Sequence, residues 1–131
     1  MDREIGALPY RFRKKQLEIV LITTRRRKRW IFPKGQIEKR LTSLKVAELE
    51  AFEEAGIVGR IEKGDDREFA VRRGSRKVRL KVFPMKCDKL LDDWPEAKER
   101  QRIVIRIDEA LKMIKGKSLR KCVKRLLRDV A

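Results

Sequence analysis

Glu50, Glu53 and Glu54 stand at i, i+3 and i+4 in a run that ends at Gly56. On a helix that spacing brings three carboxylates to one side. Gly56 reads as the residue that stops the helix, so they also fall in its last turn. Both placements are unfavourable for bare anions. Like charges at helical spacing repel by roughly 0.2–0.5 kcal/mol per pair. An anion at a helix C-terminus meets the negative end of the dipole, at about 0.3–1 kcal/mol. A bound cation turns both penalties into attraction. The chain has no histidine, and Cys87 and Cys122 lack metal-ligand spacing, which excludes histidine triads and His/Cys zinc sites. A metal held by carboxylates, carbonyls and water is a hard one: Mg2+, with Mn2+ as the alternative.

Carboxylates with Mg2+, behind a loop that opens with Gly35, suit phosphoanhydride hydrolysis. That reaction needs charge neutralised on the phosphate oxygens and a polarised or deprotonated water. Two or three of these carboxylates can hold one or more Mg2+ ions. Lys34 and the basic run at 25–29, with Arg25, Arg27 and Arg29, supply candidate phosphate-binding cations. Glu38 and Glu48 read as solvated surface.

The elements that must position these groups follow from pattern. Residues 4–12 read as a strand with an irregularity at Pro9, and 17–23 as a buried central strand. Trp30, Ile31 and Phe32 form a short strand stopped by Pro33, and a loop runs from Lys34 to Thr42 or Ser43, either of which caps the next helix. The helix spans 43–55, its apolar stripe of Leu44, Ala47, Ala51 and Ala55 broadened by Val46, Leu49 and Phe52. A strand over 57–73 breaks near Gly64, a hairpin turns at 73–76, and 77–85 alternates as a half-exposed strand. Residues 88–101 read as a loop plugged by Trp94. A strand at 102–107 precedes a short helix from Asp108 and a last helix capped by Ser118, whose apolar side includes Cys122 and Leu126. Trp30 reads as core. The order β-β-β-α-β-β-β-α-α predicts an α+β domain with a mixed sheet packed between helices.

Length sets a single domain over 1–131, large enough to bury a core without disulfides. A formal charge of +17 attracts polyanions: nucleic acid, anionic membrane or small polyphosphates. No run approaches the ~18 apolar residues of a membrane span, and Met1-Asp2-Arg3-Glu4 begins no signal peptide. Cys122 reads as a buried free thiol, so a reducing, cytoplasmic compartment is expected.

Residues 35–57 resemble the box of the Nudix hydrolase family, G-x5-E-x7-R-E-U-x-E-E-x-G-U, where U is apolar. Gly35 fits the first glycine, Glu50 the glutamate after the arginine, Glu53 and Glu54 the E-E pair, Gly56 the last glycine, and Ala51 and Ile57 the two U positions. The strand Trp30-Ile31-Phe32-Pro33-Lys34-Gly35 is similar to the family's lead-in. Two positions depart: the first glutamate is Leu41 and the arginine is Leu49. In the family that arginine helps orient the glutamates; here the orienting cation is either missing or supplied by another route, from Arg40 or Lys45. Residues 91–96 and 105–114 resemble the back half of the diphosphoinositol polyphosphate and dinucleoside polyphosphate hydrolases of this family.

The resemblance implies a Nudix-like α/β/α sandwich that hydrolyses a diphosphate linkage in a nucleoside polyphosphate or diphosphoinositol-type substrate. By the same resemblance Glu50 and Glu54 would be metal ligands, Glu53 a ligand or the general base, and Gly35 part of the metal site, and a further carboxylate would come from the loop before the last strand, Glu99 or Glu96. The partner would be a small anionic polyphosphate, with nucleic acid secondary, and the protein a monomer or homodimer. The departures from the box at Leu41 and Leu49 raise one alternative: a catalytically impaired module of this fold that binds RNA or polyphosphate.

Overall fold

A computed structural model describes residues 2–130. Eight strands form one mixed sheet: β1 (Asp2–Arg13), β2 (Gln16–Thr23), β3 (Trp30–Ile31), β4 (Lys34–Gln36), β5 (Ile57–Arg60), β6 (Arg67–Arg73), β7 (Arg76–Leu90) and β8 (Arg102–Arg106). Helix α1 (Ser43–Ala55) lies between β4 and β5, and α2 (Ile107–Met113) and α3 (Lys117–Arg128) end the chain.

The long strand β1 organises the sheet. It runs parallel to β7 over nine register pairs, Asp2↔Val78 to Tyr10↔Lys86, and antiparallel to β2 and β4. Pro9 does not interrupt it: it pairs opposite Met85. Strand β8 closes on β2, antiparallel, from Glu18↔Arg106 to Ile22↔Arg102. β6 and β5 both pair with β7.

Alternation along the strands splits the core in two. Ile19 and Leu21 of β2 face a cluster with Val78, Leu80, Cys122, Val123 and Leu126, under α2 and α3. Val20 and Ile22 face a second cluster with Val46, Ala47, Ala51, Phe83 and Met85, under α1. The glutamate helix and the C-terminal helix therefore cover opposite faces of one sheet, an α/β/α sandwich.

Several local expectations change. Residues 34–36, expected as loop, form β4 by pairing with Glu4, Ile5 and Gly6 of β1. β7 continues to Leu90, beyond the expected end at Met85, because β5 pairs along its second half. Leu49 and Phe52, expected to broaden the buried stripe of α1, are exposed on its outer side. Ser118 caps nothing: α3 begins one residue earlier, and the Ser118 Oγ accepts from the Arg72 N–H at 3.2 Å. Thr42 does cap α1, its Oγ1 accepting from the Lys45 N–H at 3.2 Å, and Gly56 ends the helix with φ at 65°, the left-handed region a glycine enters without steric cost.

Candidate active site

The inner side of α1 carries the glutamates toward the β3–β4 segment. Glu54 is buried, 8% exposed. One of its oxygens accepts from the Lys34 backbone N–H at 3.2 Å, and the other lies 3.5 Å from Arg100 Nη2. Glu50 lies one turn earlier, half-buried, and its carboxylate hydrogen-bonds that of Glu54. Two carboxylates in contact cannot both be charged without a cation between them. Burial, with the hydrogen bond to Glu50 adding to it, pushes Glu54 up to about 8, against the opposing pull of Arg100. Burial also raises Glu50. Near neutral pH the pair keeps a proton, with Glu54 donating to Glu50.

Gly35 explains itself sterically. A Cβ there would sit 2.4 Å from Glu50 Cδ and 2.5 Å from Oε1. The missing side chain is the space that the Glu50 carboxylate occupies. The position serves as a spacer, and its backbone is engaged with β1 opposite Ile5.

Glu53 is half-buried on the same side of α1, close enough for its charge to act on Glu50. Its side chain accepts no hydrogen bond among the described residues, whereas its backbone carbonyl accepts from the Glu96 N–H at 3.1 Å. Among the described residues, no three acidic or sulfur side chains converge into a ready metal cage. The donors that do converge, Glu50 and Glu54, are hard oxygens sharing one proton, which fits exchange of that proton for Mg2+ or Mn2+.

The supporting groups come from distant sequence. Arg100, 9% exposed at its side chain, donates from Nε to Glu96 at 2.8 Å and from Nη1 to the Thr23 carbonyl at 3.0 Å. It therefore ties the end of β2, the 91–101 loop and Glu54 together. Neither Arg40 nor Lys45 does this: Arg40 is exposed, and Lys45 pairs with Glu48 at 3.4 Å. The two box departures point away from the glutamates' protected side, Leu41 at 41% and Leu49 at 42% exposure. Trp94 closes the helix end as expected of a plug. Its Nε1 donates to the Glu54 carbonyl at 2.9 Å, its ring lies where a Cβ on Gly56 would be, and the Arg102 guanidinium stacks on it at 4.2 Å.

The expected phosphate-binding cations divide. Lys34 Nζ is taken by Glu4 at 3.0 Å, and Arg73 lies 3.5 Å from the same carboxylate. Burial lowers the Lys34 pKa, and this Glu4–Lys34–Arg73 group left no trace in local pattern. Arg25 reaches the site's edge, at 3.0 Å from Glu96 and 3.5 Å from Glu99. Arg27 and Arg29 line a different cleft, with Lys28, Trp30, Met113 and Lys115. Of the two expected loop carboxylates, Glu96 adjoins the cluster through Arg100, while Glu99 is half-exposed and contacts Arg25.

Solved structures share this architecture over the whole chain. An Ap4A hydrolase from C. elegans superposes with a TM-score of 0.80 at 17% identity, covering 100% of this chain and 99% of its own. The NUDIX domain of Shewanella oneidensis NrtR, complexed with ADP ribose, superposes at 0.75 with 11% identity, covering 100% of this chain and 89% of that one. The chain has a Nudix fold. In sequence it is similar to two Arabidopsis thaliana proteins. Nudix hydrolase 12, mitochondrial, is 28% identical over 144 residues, and Nudix hydrolase 18, mitochondrial, 31% identical over 114. These alignments cover 94% and 81% of this chain, which spans 71% and 65% of the relatives' lengths. No family model matches the chain. The sequence relatives carry the name Nudix hydrolase, and the solved structures share the fold. Among the described residues, no helix is long and apolar enough to cross a membrane.

Proposed function

We propose that this Nudix protein hydrolyses a phosphoanhydride bond in a small polyanionic substrate, a nucleoside polyphosphate or a diphosphoinositol-type compound, with Mg2+. The observation that carries the reading is the placing of two glutamates behind Gly35: Glu54 is buried against Arg100 and the Lys34 N–H, and the half-buried Glu50 carboxylate fills the space a Cβ on Gly35 would take. A protein that used its glutamates only as a solvated helix face would not bury Glu54 against a guanidinium. Glu50 and Glu54 would hold the metal, which when bound supplies Lewis-acid neutralisation of the phosphate oxygens. Mn2+ would serve in its place.

Glu53, half-buried on the same helix, would take the proton of the attacking water. Water oxygen then bonds to phosphorus, the bridging P–O bond breaks, and the leaving phosphate departs with the bond's electron pair. Arg100 does the work of the absent box arginine, fixing Glu54 from the far side of the site. Arg25, at the rim beside Glu96 and Glu99, is the rim cation for the remaining phosphates. The free thiols Cys87 and Cys122 fit a reducing compartment such as the cytoplasm.

The test is turnover. The protein is incubated with Mg2+ and a panel of dinucleoside polyphosphates, nucleotide sugars, nucleoside triphosphates and diphosphoinositol phosphates, and phosphate-containing products are followed. Mg2+-dependent cleavage that Glu53→Gln abolishes supports the reading. A folded protein that cleaves none of them contradicts it.

A further inference from the structure

A second charged helix faces the other way. On α3, Lys117, Lys121, Lys124 and Arg128 stand at i, i+4, i+7 and i+11, which places them in one line along the helix. All four are exposed, and none has an ion-pair partner among the described residues. From 112 to 128 the chain carries eight Lys or Arg and no Asp or Glu. Like charges at this spacing repel, and nothing in the core requires them, because Leu119, Cys122, Val123, Leu126 and Leu127 alone make the buried side.

Lys115, two residues before α3, lines a cleft. At the N-terminal end of α3, Arg27, Lys28, Arg29 and Lys115 surround Trp30 in an open cleft of about 510 Å³. Trp30 is half-buried: part of its ring packs on the α3-side core and part lines the cleft. Cations around an accessible aromatic face suit a base stacked beside its own phosphates. With 12 residues, α3 extends the cationic track by about 18 Å.

We infer that the α3 stripe and the Trp30 cleft together form a binding surface for single-stranded nucleic acid. It lies on the sheet face opposite the Glu50–Glu54 pair and does not rest on the hydrolase reading. The stripe holds backbone phosphates, and Trp30 takes an unpaired base. An anionic membrane is the poorer match, because insertion needs apolar side chains on the same face. The exposed large hydrophobics, such as Phe12, Leu49, Phe52 and Val58, lie elsewhere.

The experiment is fluorescence anisotropy with labelled single strands of about 10 nucleotides, RNA and DNA in separate arms, with EDTA present and salt varied. The expected result is binding that weakens steeply with salt. In the variant K117S/K121S/K124S/R128S, affinity falls at least tenfold and the log–log salt slope falls by about three, at ~0.7 for each phosphate no longer neutralised. Trp30→Leu lowers affinity about fivefold or more. If that variant does not fold by circular dichroism, the comparison of single strand with a duplex of the same length decides, and single strand must bind tighter. The tighter of RNA and DNA names the source, and either result supports the surface. No binding at low salt, an unchanged slope in the stripe variant, or equal affinity for duplex overturns it. So does sedimentation with phosphatidylserine-containing vesicles when the oligonucleotide does not bind.

Discussion

Helices α1 and α3 pose the same electrostatic problem with opposite signs and resolve it differently. Each gathers like charges at i, i+3 or i+4 spacing. On α1 the charges turn inward. Glu54 is buried, Glu50 presses against it, and Arg100 and the Lys34 N–H hold the far side. On α3 the charges turn outward and stay unpaired among the described residues, while its apolar side packs on the sheet. A charge cluster buried with a dedicated counter-ion is organised around a bound species within the fold. A cluster left in solvent is open to an external partner. The sheet between them keeps the two electrostatic fields on separate faces.

The sharpest way to break the comparison is at α1. Glu53→Gln should lower Mg2+-dependent turnover by about 10²–10⁴-fold, with an unchanged thermal melt. Unchanged turnover would remove Glu53 from the reaction. Arg100→Ala follows, with an expected loss of about 10–100-fold in metal affinity or rate, the scale for groups that orient metal ligands, and Arg100→Lys should recover part of it. Leu49→Arg should leave the rate where it is, since position 49 faces solvent and Arg100 already holds Glu54. A rate gain in Leu49→Arg would show that the orienting cation is missing after all.

A smaller effect appears in stability against pH. Glu54 titrates near 8 in the fold, against 4.5 for an ordinary glutamate. Between those values the folded state binds more protons than the unfolded one. The contribution is therefore full below about 4.5 and is lost as pH rises through about 8. Without metal, the melting temperature of the native protein should fall relative to that of Glu54→Gln between pH 5 and pH 9, and Mg2+ should reverse the fall. Parallel curves for the two proteins would mean that Glu54 is not buried with a shared proton. Smallest of all, Lys121→Gln on α3 should raise stability by about 0.2–0.5 kcal/mol by relieving like-charge repulsion, read by urea denaturation. A decrease instead would mean that Lys121 is structurally engaged.

Local features were legible because local physics made them. Gly56 closes α1 in the left-handed conformation, Thr42 caps it, and the pattern of β2 alone announced a strand buried on both faces. The glutamates could be found because helical spacing is written in the sequence. Their support could not. Arg100 meets Glu54 across 46 positions, and Lys34 meets Glu4 across 30, and no periodicity reports a contact that the sheet alone brings together. Leu49 and Phe52 misled for the opposite reason. They fit a broad apolar stripe, but small residues, Ala47, Ala51 and Ala55, already fill the narrow gap between α1 and the sheet. Ser118 looked like a cap by type, yet its hydroxyl is engaged by β6.

The central claim is that Glu50 and Glu54 exchange a shared proton for a divalent cation. Electron paramagnetic resonance of free Mn2+ during titration with protein at neutral pH tests it directly, with no need of a substrate. The native protein should remove Mn2+ from solution, Mg2+ should compete, and Glu50→Gln and Glu54→Gln should each weaken binding at least tenfold. Equal Mn2+ binding by the native protein and both variants would contradict the account.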